Sequence, residues 1–217
     1  MFHSLRLEVM ERFTAVEEYF RLSLPKNARF KGEPSQTSRG LAFVQIYAIH
    51  EYTVLKVVQY AVDAIAAHSH SYSDLRPSLL ALFLDPQLAA LKDCGAKSLW
   101  DRRLDLLDKA TSDEIVSLPQ APIPADGSHF RHAHIYLILR VFGVARTLTL
   151  RRRHLYLIDE VVNNRNAISH GAETAATVGR RYSRGDIFRS IRIMQSVCLR
   201  LIFIVSEHCS DPARHCR

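Results

Sequence analysis

From Gly40 to about Ala67 the chain carries one long apolar pattern, and this pattern limits the fold more than any other feature. Leu41, Val44, Ile46, Ile49, Tyr52, Leu55, Val58, Val62 and Ile65 recur at helical spacing. Together they cover most sides of a helix, so this helix needs several neighbours packed around it. The neighbours are legible too. Leu5, Val9, Phe13, Val16 and Phe20 mark an amphipathic helix over residues 3–24, stopped by Pro25. Leu155, Ile158, Val161, Val162 and Ile168 mark another over residues 151–169, with Gly171 placed for a left-handed stop. Ser183 and Asp186 form an Asp variant of the capping box ahead of a last helix that runs to about Cys209. Ile187, Ile191, Met194, Val197, Leu201, Ile204 and Val205 lie on its buried side. No strand-like alternation and no internal repeat is present. The expected class is all-α, a bundle of four to five long helices with a short-helix insertion.

The remaining segments are punctuated by turn residues. Residues 26–39 hold Gly32 and Pro34 and are expected to form a loop. Pro77, Pro86, Pro119, Pro122 and Pro124 break residues 68–127. Short helices are expected near 78–84, 86–92 and 98–109, then a proline-rich loop from Ser117 to Gly127. Asp126-Gly127-Ser128 can cap a helix over about 129–142, closed by Gly143. The expected organisation is a single domain over 1–217, with a core at about 38–67 and 129–210 and an insertion at about 68–127. The length of 217 residues suits one self-supporting core. No uninterrupted apolar run reaches the ~18 residues of a membrane span, and the start lacks a secretory signal. Cys94, Cys198, Cys209 and Cys216 show no paired spacing. Reduced thiols and a cytoplasmic location, with no membrane partner, are expected.

Charge is divided unevenly. Residues 1–128 carry 14 Lys and Arg against 16 Asp and Glu; residues 129–217 carry 15 Arg, no Lys and 6 acidic residues. A field of that sign favours an anionic partner, and arginine's planar fork suits phosphate. Within the basic half stands the polar run Asn163-Asn164-Arg165-Asn166-Ala167-Ile168-Ser169-His170-Gly171. RNA can be cut without metal when its 2′-hydroxyl attacks the adjacent phosphorus and the 5′-oxygen leaves. That reaction needs a base, an acid and fixed positive charge on the phosphate. His170 can serve as acid or base, Arg165 as the fixed charge, and Asn166 as an orienting amide. On a regular helix, positions five apart point ~140° away from each other. Arg165 and His170 can therefore cooperate only where the helix ends, or across a two-fold axis that brings in a second copy.

The run Arg165 to Gly171 resembles the R-x4-6-H motif of the HEPN superfamily, whose members are all-α and include many metal-independent ribonucleases. Arg39 to Tyr52 resembles the first core helix of the MAE-type HEPN group. The stretches Asp126-Gly127-Ser128-His129-Phe130-Arg131 and Gly179-Arg180-Arg181-Tyr182-Ser183 are similar to segments of the same group. The resemblance spans about residues 38–210. It implies an endoribonuclease with Arg165, His170 and Asn166 as catalytic residues, RNA as substrate, and a homodimer with a composite site. It also implies a toxin–antitoxin or phage-defence setting with an antitoxin or defence partner protein, and products ending in a 2′,3′-cyclic phosphate and a 5′-hydroxyl. No cofactor is implied. In HEPN toxins silenced by nucleotidyl transfer a Tyr stands two residues beyond the motif His; here that residue is Ala172. Many HEPN domains only bind, so an inactive module that holds nucleic acid or a partner protein is the alternative. A helical regulatory subunit without nucleic acid is a third reading.

Supporting roles are expected for Glu51, which can hold Arg165, and for Asn163 and Asn164. Asp159 and Glu160 read as surface or supporting charges. Arg151, Arg152 and Arg153, with Arg180, Arg181 and Arg184, form a candidate nucleic-acid strip. His129, His132 and His134, like His68 and His70, lack the partners of a metal site, and none is expected. Cys209, His215 and Cys216 read as a frayed tail.

Overall fold

The computed structural model describes residues 1–24, 32–117, 130–148 and 151–216. Among them the chain is helical, with only two isolated bridges and no strand. The elements are α1 (Phe2–Ser23), α2 (Glu33–Ala66), α3 (Pro77–Phe83), α4 (Asp85–Asp93), α5 (Leu99–Ala110), α6 (His132–Val141), α7 (Arg152–Ser169), α8 (Ala175–Gly179) and α9 (Arg184–Cys209). The all-α class and the short helices of the middle segment match the expectations closely. The Asp126-Gly127-Ser128 cap and most of the proline-rich loop lie outside the described residues.

Two compact units emerge. The first comprises Met1–Lys56, Gly127–Ile135 and Thr147–Phe203. Its interior holds Leu5, Val9, Phe13 and Phe20 of α1, with Phe43, Ile46 and Tyr47 of α2. Ile158, Val161 and Val162 of α7, and Ile187, Ile191 and Met194 of α9, are also buried in it. The periodicity failed on α2 at Leu41 and Leu55, which are exposed. Tyr52 ties α1 to α2: its hydroxyl donates to Glu8 at 2.7 Å, and the Arg12 guanidinium lies 3.8 Å from its ring centre.

α2 begins at Glu33, seven residues before Gly40, so residues 33–39 are helix rather than loop. Pro34 is tolerated because a first-turn residue needs no donor N–H. Gly40 sits inside the helix for a reason of space. A Cβ there would overlap the Ala175 carbonyl oxygen, and one at Gly179 would overlap the Gln36 carbonyl oxygen. The Arg39 Nε–H donates to the Gly179 carbonyl at 3.0 Å. α8, within a stretch expected to be loop, is capped by Thr174 and lies backbone-to-backbone on α2. With its few charged residues included, α2 is long and apolar enough to cross a membrane by length and composition alone. More than half of its most apolar stretch is buried inside the protein.

The second unit comprises Val57–Asp126, Tyr136–Arg146 and Ile204–Arg217. Here the C-terminal segment is packed rather than frayed. His215 and Cys209 are fully buried, and the Arg76 Nε–H donates to the Cys216 carbonyl at 2.8 Å. His70 Nε2 and His215 Nδ1 share a hydrogen bond at 3.1 Å, with the His68 ring 5.6 Å from that of His215. Burial, then repulsion from His70, His68 and His208, pushes the His215 pKa down to about 4.

Two outcomes follow. Gly40→Ala and Gly179→Ala each force backbone apart, and thermal melts should show a loss of about 1–3 kcal/mol or more. A melt unchanged by either substitution is incompatible with the close approach. Neutral His215 contributes fully above the unfolded imidazole pKa near 6.5, and its contribution is lost as pH falls from there toward about 4. The loss is about 3 kcal/mol across that window. Urea unfolding at neutral and acid pH should show it, with the slope reduced in His215→Gln.

Candidate functional site

α7 stays helical through Ser169, and His170 is its C-cap at φ −92°, ψ 4°. Gly171 follows at φ +71°, a left-handed conformation that a side chain would resist. Its N–H donates to Ile168 at 3.1 Å, and the Glu173 N–H donates to Ala167 at 2.9 Å. These bonds end the helix at Gly171, while the His170 N–H still donates to the Asn166 carbonyl at 3.0 Å, the last helical bond of α7. His170 is exposed, whereas Arg165 and Asn166 are half-buried.

Arg165 is held by what surrounds it. Its guanidinium carbon lies 4.5 Å from the centre of the Tyr47 ring, and its Nη1–H donates to Asn166 Oδ1 at 3.2 Å. Tyr47 is buried, and its hydroxyl donates to Glu51 at 3.1 Å. Burial and the Glu51 carboxylate push that hydroxyl up to about 12, so it stays protonated. Glu51 thus reaches Arg165 by way of Tyr47. The signal was present in the sequence, since Tyr47 and Glu51 are four apart on one helix.

The other polar residues of the run face elsewhere. Asn163 accepts from Arg131 at 2.8 Å. Asn164 is buried and donates to the Tyr182 hydroxyl at 2.7 Å; that hydroxyl donates to Glu160 at 2.7 Å. The Tyr182 ring lies against Phe43, with centres 4.6 Å apart. Asp159 accepts the His132 backbone N–H at 3.0 Å and faces His132 Nδ1 at 2.7 Å, so it caps α6 from α7. His129 lies outside the described residues. His50, deep in α2, is neutral: burial lowers its pKa, and Nε2 donates to the Phe130 carbonyl at 2.9 Å. Among the described residues no three His, Cys, Asp or Glu side chains are arranged to hold a metal ion.

The candidate basic strip divides. Arg151 and Arg153, with His154, line a groove of about 760 Å³ whose other wall is Arg189 and Arg192 of α9. A recess of about 370 Å³ shares Arg151 and His154 and adds Arg200. Burial and the Arg153 and Arg151 charges lower the His154 pKa. Arg152 does not line either cavity, and neither do Arg165, Asn166 or His170. Arg181 pairs with Glu173, and Arg184 donates to the Leu24 carbonyl while stacking on Phe188. Arg180, at the C-cap of α8, is exposed. Sequence reasoning missed Arg189, Arg192 and Arg200. On α9 they fall within about 80° of arc, a signal masked by the stronger apolar stripe.

The all-α fold, with Arg165 in the last turns of α7 and His170 at its cap, fits the nuclease-like or nucleic-acid-binding helical module that its family membership suggests. The family profile matches residues 2–210, and the chain belongs to the MAE_28990-like HEPN family. No curated protein and no solved structure matches it.

The Arg165–Tyr47 contact is measurable apart from any activity. A double-mutant cycle of Tyr47→Leu and Arg165→Met should give a coupling of about 0.5–2 kcal/mol in unfolding free energy. A coupling near zero means the stacking does not hold the guanidinium.

Proposed function

We propose that this chain is a metal-independent endoribonuclease that works as a homodimer in a bacterial toxin–antitoxin or phage-defence setting. One observation carries the reading: Arg165 is braced on Tyr47, and His170 stands exposed at the first residue beyond the same helix. The guanidinium, which never loses its proton, supplies fixed charge to a phosphate gaining electron density. His170 removes the 2′-hydroxyl proton as that oxygen attacks phosphorus. The P–O5′ bond breaks, and the 5′-oxygen takes a proton from a second acid. The products are a 2′,3′-cyclic phosphate and a 5′-hydroxyl. One chain offers one motif histidine; a two-fold pair offers a base and an acid. The pair also supplies a wall for residues that line neither groove of the single chain.

The second reading, a non-catalytic module that binds nucleic acid, is favoured by an arginine-lined groove of about 760 Å³ that lies along the start of α7 and is not lined by Arg165, Asn166 or His170. Cleavage of RNA in EDTA separates the two. Wild type should cut, with Arg165→Ala and His170→Ala each slower by about 100-fold or more. Equal contaminant-level rates for all three end the nuclease reading, and retained RNA binding without cleavage selects the second.

A further inference from the structure

The groove along the start of α7 and the middle of α9 is a separate feature from the motif. We propose that it is a distal subsite for the phosphodiester backbone of an RNA strand whose scissile bond lies at the Arg165–His170 end of α7. The proposal rests on the ribonuclease reading and adds to it a second point of contact on the same helix.

Charge is the first support. Arg151, Arg153, Arg189, Arg192 and Arg200 line the groove and its recess against two carboxylates. Both carboxylates are already engaged. Glu160 accepts the Tyr182 hydroxyl, and Asp186 accepts from Ser183 and pairs with Arg189. The chemistry of the walls is the second support. Guanidinium forks bind phosphate oxygens in pairs, while Leu157, Ile193 and Tyr182 give the groove apolar and aromatic surface. Cationic walls beside apolar surface suit a nucleic-acid strand, whose phosphates meet the guanidiniums while its bases lie against the apolar part.

Placement is the third support. Arg153 and Arg165 are twelve residues apart on α7, which at 1.5 Å per residue is about 18 Å. A strand of several nucleotides spans that length, whereas a dinucleotide at the motif does not extend to Arg153 at the far end of the groove. Contact with the groove therefore makes binding depend on substrate length.

The test uses the full chain with Arg189→Glu and Arg192→Glu combined, and Arg200→Glu as a second variant, each checked by thermal melting. Binding is read by fluorescence anisotropy in the His170→Ala background, so that no strand is cut. A single-stranded RNA of about twelve nucleotides should bind at least about tenfold more weakly, with the salt slope reduced by about 1.4 for two lost phosphate contacts. Affinity for a dinucleotide should not change. Unchanged affinity and slope for the longer strand overturn the proposal, as does equal competition by polyglutamate. Cleavage by the protein with His170 intact is scored separately. If it never cuts RNA, the nuclease reading fails, while the binding result still decides the groove.

Discussion

The stacking of the Arg165 guanidinium on the Tyr47 ring is the contact on which the motif's geometry depends. An arginine side chain has about 2 kcal/mol of rotamer entropy to lose before it can act as a fixed charge. Here that ordering is shared among Tyr47, Asn166 and, through the Tyr47 hydroxyl, Glu51. The rest of α7 is secured by different partners. Asp159 takes the start of α6, Asn163 takes Arg131, and Asn164 takes Tyr182. A helix this polar along one side would be a poor core element if those groups were unsatisfied.

The division of labour among neighbouring residues follows from helical geometry. Asn163, Asn164 and Arg165 point in different directions and meet Arg131, Tyr182 and Tyr47 in turn, while Asn166 accepts from Arg165. His170 lies beyond the last helical residue and is exposed. Chemistry that needs both Arg165 and His170 therefore belongs at the helix end, where the backbone turns through Gly171. The arginine-lined groove belongs to the opposite end of the same helix.

Much of this was readable from residues alone, and the misses share a cause. Local signals gave the cap of α9, the stop at Gly171 and the three short helices near residues 78–109, because each depends on residues a few positions apart. The start of α2 was missed because Gly32 and Pro34 read as loop residues, whereas Pro34 falls in the first turn of the helix; the role of Gly40 becomes clear only once Ala175 is seen against it. His215 seemed to lie in a frayed tail because its partner, His70, is 145 positions away. In the candidate site, Arg165, Asn166 and His170 stand out in the sequence as a motif, and the structure places them in the last turn and cap of α7. The fates of Arg181 and Arg184 were not, since Glu173 and the Leu24 carbonyl compete for them. The arginines of α9 were overlooked because the buried stripe drew the reading to the helix's other face.

The close approach at Gly40 and Gly179 has a mechanical meaning. From α2 the contacts run to α8, on to Tyr182, across to Asn164, along one residue of α7 to Arg165, and back through Tyr47 to α2. That circuit is closed, like a braced frame with no free corner. A single carbon added at either glycine would strain the same frame that carries the guanidinium.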